Sequence, residues 1–106
     1  MSEDPKPKQM CVKVDRFYQI IGKKWSGPII HTLLDKPKRF SEIHNYIPDL
    51  SKRMLNERMK ELEQSGIIVR NVISERPVRI EYSLTRKGHE LAEALNQMES
   101  WANKWL

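Results

Sequence analysis

The chain has 106 residues, 39% hydrophobic and 31% charged with a net charge of +5, which suits one globular domain with a modest core. A single cysteine, Cys11, excludes an intrachain disulfide framework, and the absence of a cysteine and histidine cluster excludes a structural zinc site, so neither metal nor cofactor is expected. No apolar run reaches the roughly 18 residues that cross a bilayer, and the N-terminus lacks the apolar core of a secretory signal, which predicts a cytoplasmic protein with no membrane partner.

Residues 1–10 hold two prolines, two lysines and almost nothing apolar, and read as a flexible arm ahead of a domain over residues 11–106. From Val12 to Ile21 the apolar positions Val14, Phe17, Tyr18 and Ile21 recur at helical spacing, with Gly22 as a stop. A second helix is predicted from Gly27-Pro28 through Ile29, Ile30, Leu33 and Leu34, closed by Pro37. Ser41 is positioned to cap a short helix carrying Ile43 and Tyr46, which stops before Pro48. Ser51 caps the next, in which Leu55, Met59 and Leu62 make one core-facing stripe and Gly66 supplies a left-handed stop. Arg53, Glu57 and Lys60 fall on the opposite side of that helix, with Asn56 on its flank. Ile67 to Ser74 and Val78 to Leu84 read as strands of a hairpin turning at Glu75-Arg76-Pro77. A last helix starts at a Thr85 cap and carries a stripe of Leu91, Leu95, Met98, Ala102 and Trp105, extended by Trp101. That stripe exceeds what a core this small covers; its outer part reads as a dimer interface or as packing on the first helix.

This succession defines an α+β, mostly α fold: a winged helix-turn-helix with a two-stranded β-hairpin wing and a C-terminal dimerisation helix. Its second helix suits the major groove of double-stranded DNA, where N-terminal side chains meet base edges while amides and cations grip phosphates. The charge follows the motif. Lys36 to Lys60 holds seven basic against three acidic residues and Val69 to Gly88 five against two, whereas His89 to Leu106 carries −2. Arg53 suits a bidentate contact to guanine and Asn56 one to adenine. Ser51, Lys52, Arg58 and Lys60 suit phosphates, although Glu61 at i+3 offers Arg58 an ion pair within its own helix. On the wing, Arg76 and Arg79 can reach the flanking backbone or minor groove, with Glu81 as an alternative partner for Arg79. Lys8 and Lys13 flank Cys11 in sequence, and cationic neighbours favour the reactive thiolate; the bland alternative is a small apolar filler. His31, His44 and His89 are too scattered for a metal site or a catalytic base, and no phosphate loop or catalytic triad is present, so no enzyme activity is expected.

Several motifs in order carry a family resemblance. Gly22-Lys23-Lys24-Trp25, Pro37-Lys38-Arg39-Phe40, Ile47-Pro48, Leu50-Ser51, the run from Met54-Leu55 to Glu61-Leu62-Glu63, Gly66, and Pro77 to Thr85 with Gly88 resemble the HxlR-type winged-helix transcriptional regulators. The resemblance covers the chain from about Cys11 onward. It implies a DNA-binding homodimer, with the first and last helices forming the interface through Phe17, Leu95, Met98, Trp101 and Trp105, and an inverted-repeat operator. A cysteine placed like Cys11 resembles the sensor of the YodB/CatR-like redox- and quinone-sensing repressors, which implies modification by an electrophile, a quinone or a low-molecular-weight thiol. Some of those sensors pair this cysteine with a further one across the dimer; this chain has no further cysteine, so that bridge is excluded, which leaves alkylation, a mixed disulfide with a small thiol, or a bond to Cys11 of the partner subunit. Two alternatives stay open: a regulator switched by a small aromatic ligand at the dimer interface, and a winged-helix protein-interaction module that does not bind DNA.

Overall fold

The computed structural model describes residues 11–106, so the arm expected over residues 1–10 lies outside the described residues. The elements follow the order α1 (Val12–Ile21), α2 (Ser26–Thr32), α3 (Phe40–Tyr46), α4 (Lys52–Gln64), β1 (Ile68–Ile73), β2 (Arg79–Leu84) and α5 (Arg86–Trp105). This is the winged helix-turn-helix expected from the sequence. α1 has the predicted bounds because its apolar periodicity ends at Gly22, whose N–H donates to the Tyr18 carbonyl at 2.8 Å.

Two helices begin earlier than the sequence implied. α2 starts at Ser26, after Trp25, whose φ of 81° is left-handed, and Pro28 occupies the first turn, where its missing N–H costs no helix bond. α3 starts at Phe40, so Ser41 lies inside it rather than capping it. The reason is Glu42, whose Oε1 accepts the Arg39 backbone N–H at 2.7 Å and sets the first turn two residues upstream.

The caps of α4 are those the sequence announced. Ser51 Oγ accepts the Met54 N–H at 3.1 Å. At the other end Gly66, with φ of 76°, lets the Ile67 N–H reach the Leu62 carbonyl and the Gly66 N–H reach that of Glu63, so α4 ends in a paired C-terminal motif. Thr85 then ties α5 to this junction, its Oγ1 accepting the Gly88 N–H at 3.0 Å while donating to the Gly66 carbonyl at 2.5 Å.

The core is built from Ile29, Ile30 and Leu33 of the α2 region, Ile43, Ile47 and Leu50 of α3 and the following turn, Leu55, Met59 and Leu62 of α4, Ile67, Ile68 and Ala92. The predicted stripe of α4 is therefore its buried face. β1 and β2 pair antiparallel in a register running from Ile68 with Leu84 to Ile73 with Arg79. One pairing was not legible from the sequence: Lys38 joins the other edge of β2, its N–H donating to the Tyr82 carbonyl at 2.9 Å and its carbonyl accepting from Tyr82 at 2.8 Å. The segment before α3 is thus fastened to the wing.

Candidate nucleic-acid interface and cysteine site

With Leu55, Met59 and Leu62 buried, the opposite face of α4 presents Lys52, Arg53, Asn56, Glu57 and Lys60 to solvent. The Arg53 side chain is 91% exposed and only loosely paired with Glu57 at 3.5 Å. An exposed i,i+4 pair of this length is weak and holds the guanidinium back little. Ser51 sits at the helix N-terminus, with its hydroxyl engaged by the Met54 amide.

Arg58 departs from this set. Its side chain is only 14% exposed, its Nε donates to the Lys24 carbonyl at 2.9 Å, and its Nη1 donates to Glu61 Oε1 at 3.2 Å. Glu61 also accepts from Lys23 Nζ at 2.9 Å. The hydrogen bond from Lys23, then its charge and that of Arg58, hold the Glu61 carboxyl below its ordinary value of 4.5. The ion pair foreseen as the alternative for Arg58 is thus present, together with a backbone contact 34 residues away that no sequence spacing announces. Arg58 serves as a strut between α4 and the turn after α1, and reaching a phosphate would require it to leave both partners.

On the wing the two arginines also separate. Arg76 is exposed at the turn and makes no ion pair among the described residues. Arg79 is bracketed by Glu75 at 3.4 Å and Glu81 at 3.0 Å, the second a charge contact rather than an aligned hydrogen bond. Beside them lies Arg39, a residue the sequence reading did not single out. It is exposed and lines, with Glu75, Arg76, Pro77, Val78, Arg79 and Ile80, a cleft of about 220 Å³. Its signals in the sequence are membership of the basic run from Lys36 to Lys60 and of the Pro37-Lys38-Arg39-Phe40 motif.

Cys11 is exposed and occupies the N-cap position of α1, where its carbonyl accepts the Asp15 N–H at 2.9 Å and its side chain makes no capping bond. Lys13 lies in the first turn, and Lys8 falls outside the described residues. No residue of α1 is buried. Val12, Val14 and Tyr18 are exposed, and Phe17 packs edge to face on Tyr18 with ring centroids 5.0 Å apart. At the other end of the chain Gly88 and Ala92 are the buried residues of α5, and Leu91 and Leu95 are half-buried against the core. Beyond them Met98, Trp101 and Trp105 are 56%, 58% and 65% exposed, and the outer surface over Gln97, Met98, Trp101 and Ala102 is apolar. The structure therefore divides the predicted stripe, with Leu91 and Leu95 turned to the core and Met98, Trp101 and Trp105 left open.

The pattern of the HxlR-like helix-turn-helix matches residues 20–106. The chain belongs to the HxlR family. Within it, the HTH-type transcriptional regulator YodB of Bacillus subtilis (strain 168) is 47% identical over 96 residues, covering 91% of this chain and 86% of that protein. The solved structure of reduced YodB superposes with a TM-score of 0.82 at 47% identity, over 91% of this chain and 94% of that one. The quinone-bound form of YodB superposes with a TM-score of 0.78 at 44% identity, covering 91% and 100% of the two chains. This HxlR-family chain is thus a transcriptional regulator by kinship, and these relatives are named as regulators rather than enzymes. No helix among the described residues is long and apolar enough to cross a membrane.

Proposed function

We propose that this HxlR-family protein is a cytoplasmic homodimeric repressor that binds an inverted repeat in double-stranded DNA and is released by modification of Cys11. The exposed polar face of α4 carries the DNA reading: Lys52, Asn56 and Lys60 have no side-chain partner among the described residues, while the opposite face is locked into the core. Arg53 and Asn56 read base edges, Ser51, Lys52 and Lys60 hold phosphates, and Arg76 of the wing reaches the flanking backbone. Arg58 leaves this set because of its strut role, and the charge of Arg79 is outweighed by its two glutamates.

The switch rests on the exposure of Cys11 and on kinship with YodB, whose quinone-bound form is among the similar structures. The thiolate is the attacking species. Addition to a quinone forms a C–S bond, and the thiol proton and the hydrogen of the attacked carbon end on the two oxygens of the resulting hydroquinone. With a disulfide of a low-molecular-weight thiol, the Cys11 sulfur displaces one thiol and keeps the other in a mixed disulfide. Either adduct enlarges the start of α1, whose outer side is proposed to lie in the dimer interface.

Genomic fragments bound by the protein, selected with and without a quinone or the disulfide of a low-molecular-weight thiol, test both halves. The wild type should retain a defined set of fragments and lose it on treatment, and Cys11→Ser should retain the set throughout. Release of Cys11→Ser as readily as wild type would remove the cysteine from the mechanism. For the reading face, Arg53→Ala with Asn56→Ala should erase sequence preference, each lost pair weakening discrimination by about 1–3 kcal/mol. Preference that survives both substitutions would remove these residues from base reading.

A second reading, reversible binding of a small aromatic ligand at the dimer interface, draws on the apolar surface around Met98 and Trp101. It predicts that an aromatic inducer raises the Tm of Cys11→Ser, which a purely covalent switch does not.

A further inference from the structure

Arg39 and Arg76 are 37 residues apart in sequence yet line one cleft. Their proximity is fixed by backbone. Lys38 pairs with Tyr82 through two hydrogen bonds of 2.9 and 2.8 Å, which fastens the residue before Arg39 to β2 of the wing. On the other side the Arg39 N–H is held by Glu42 at 2.7 Å. The neighbouring cations are committed elsewhere: Lys38 Nζ to Asp35 and to the Thr32 carbonyl, each at 2.6 Å, and Arg79 to Glu75 and Glu81. Among the described residues, the Arg39 and Arg76 guanidinium groups have no ion-pair partner, and with Arg79 set against both Glu75 and Glu81 the group keeps a net positive charge carried by these two arginines. Its volume of about 220 Å³ far exceeds the roughly 10–15 Å³ that one water needs, enough for a phosphate group with residual hydration.

We infer that this cleft is a phosphate clamp, in which Arg39 and Arg76 close from two sides on a single DNA backbone phosphate beside the recognition helix. The inference rests on the DNA-binding reading above and adds to it a contact, Arg39, and a stoichiometry of one phosphate per subunit. Guanidinium groups suit the site because each presents paired donors to phosphate oxygens. The contact fixes where the wing sits along the duplex and carries no base information, since phosphates are the same at every step.

The test is a salt titration of binding to a mixed-sequence duplex of about 30 base pairs, close to three helical turns. Each neutralised phosphate contributes about 0.9 to the slope of log K against log salt concentration, measured between roughly 50 and 200 mM. The double variant Arg39→Ala, Arg76→Ala should lower that slope by about 0.9 per bound subunit, with the rank order of preferred sequences unchanged. The variant with lysine at both positions should restore the slope, because charge is kept. An unchanged slope in the alanine double variant overturns the clamp, as does a loss near 1.8 per subunit, which means two separate phosphates. Both side chains are exposed, so an unchanged circular dichroism spectrum and Tm confirm that the fold is intact. Wild-type protein that fails to bind the duplex, or binds without salt dependence, overturns the DNA reading and the clamp with it. A clamp that fails alone leaves wild-type binding steep.

Discussion

Among the basic residues of the proposed reading head, location decides role more than residue type does. Arg53 and Arg58 are five positions apart on one helix, yet the first extends into solvent and the second is held by Lys24 and Glu61. Arg58→Ala therefore belongs with stability. Losing charge-assisted bonds at a largely covered site should lower unfolding free energy by about 2 kcal/mol in urea, with sequence preference intact. Gly88 is a second residue whose role is steric. A Cβ there would stand 1.9 Å from the Ile67 carbonyl oxygen, so α5 would have to lift off the junction after α4. Gly88→Ala should cost about 1–3 kcal/mol, read as a lower Tm and urea midpoint. The sequence showed Glu61 as a candidate partner for Arg58 because the two are one helical turn apart. It concealed the Lys24 carbonyl and the proximity of Arg39 to Arg76, because those contacts depend on how distant segments pack.

At the scale of elements, α1 is joined to α4 by charge as much as by packing. α1 buries no residue, and only Ile20 and Ile21 at its end lean on the core. Just beyond it, Lys23 bonds Glu61, and Lys24 supplies the carbonyl for Arg58. The pH dependence follows from the lowered carboxyl of Glu61. A carboxylate whose folded-state value lies below its ordinary 4.5 contributes stability that is full above that pH and is lost as pH falls through the folded value. Glu61→Gln should therefore flatten the fall in stability on the acid side of 4.5, measured by urea midpoints across that range. Asp35, held low first by its hydrogen bond from Lys38, adds a fall of the same sign that Glu61→Gln leaves in place. Most element boundaries were legible, since Ser51, Gly66 and Thr85 act locally and their geometry is set by neighbours within a turn or two. The start of α3 is not legible in the sequence because a carboxylate and a hydroxyl compete for the same first turn, and Glu42 wins.

For the molecule as a whole, the asymmetry of α5 matters most. Its 20 residues extend about 30 Å, but burial is confined to its first half, leaving Met98, Trp101 and Trp105 open. The proposed homodimer covers them with a second copy. Trp101→Lys should yield monomers in sedimentation at micromolar concentration and reduce operator affinity by at least tenfold, since each half-site is then held separately. Dimers that persist in that variant would place the interface elsewhere. The apolar stripe of α5 was plain from the sequence, but its division into a core half and an open half was not, because that depends on where the compact body ends. The Lys38–Tyr82 bridge has a consequence for this assembly. Because the wing is fastened ahead of α3, and Lys23 and Lys24 tie the end of α1 to Glu61 and Arg58 of α4, a signal at the start of α1 would move the proposed reading head as one body. What such a signal can alter is the distance and phase between two heads. The operator then acts as a ruler: one base pair inserted between its halves, a shift of about 3.4 Å with the accompanying rotation, should loosen the unmodified protein much as an inducer would.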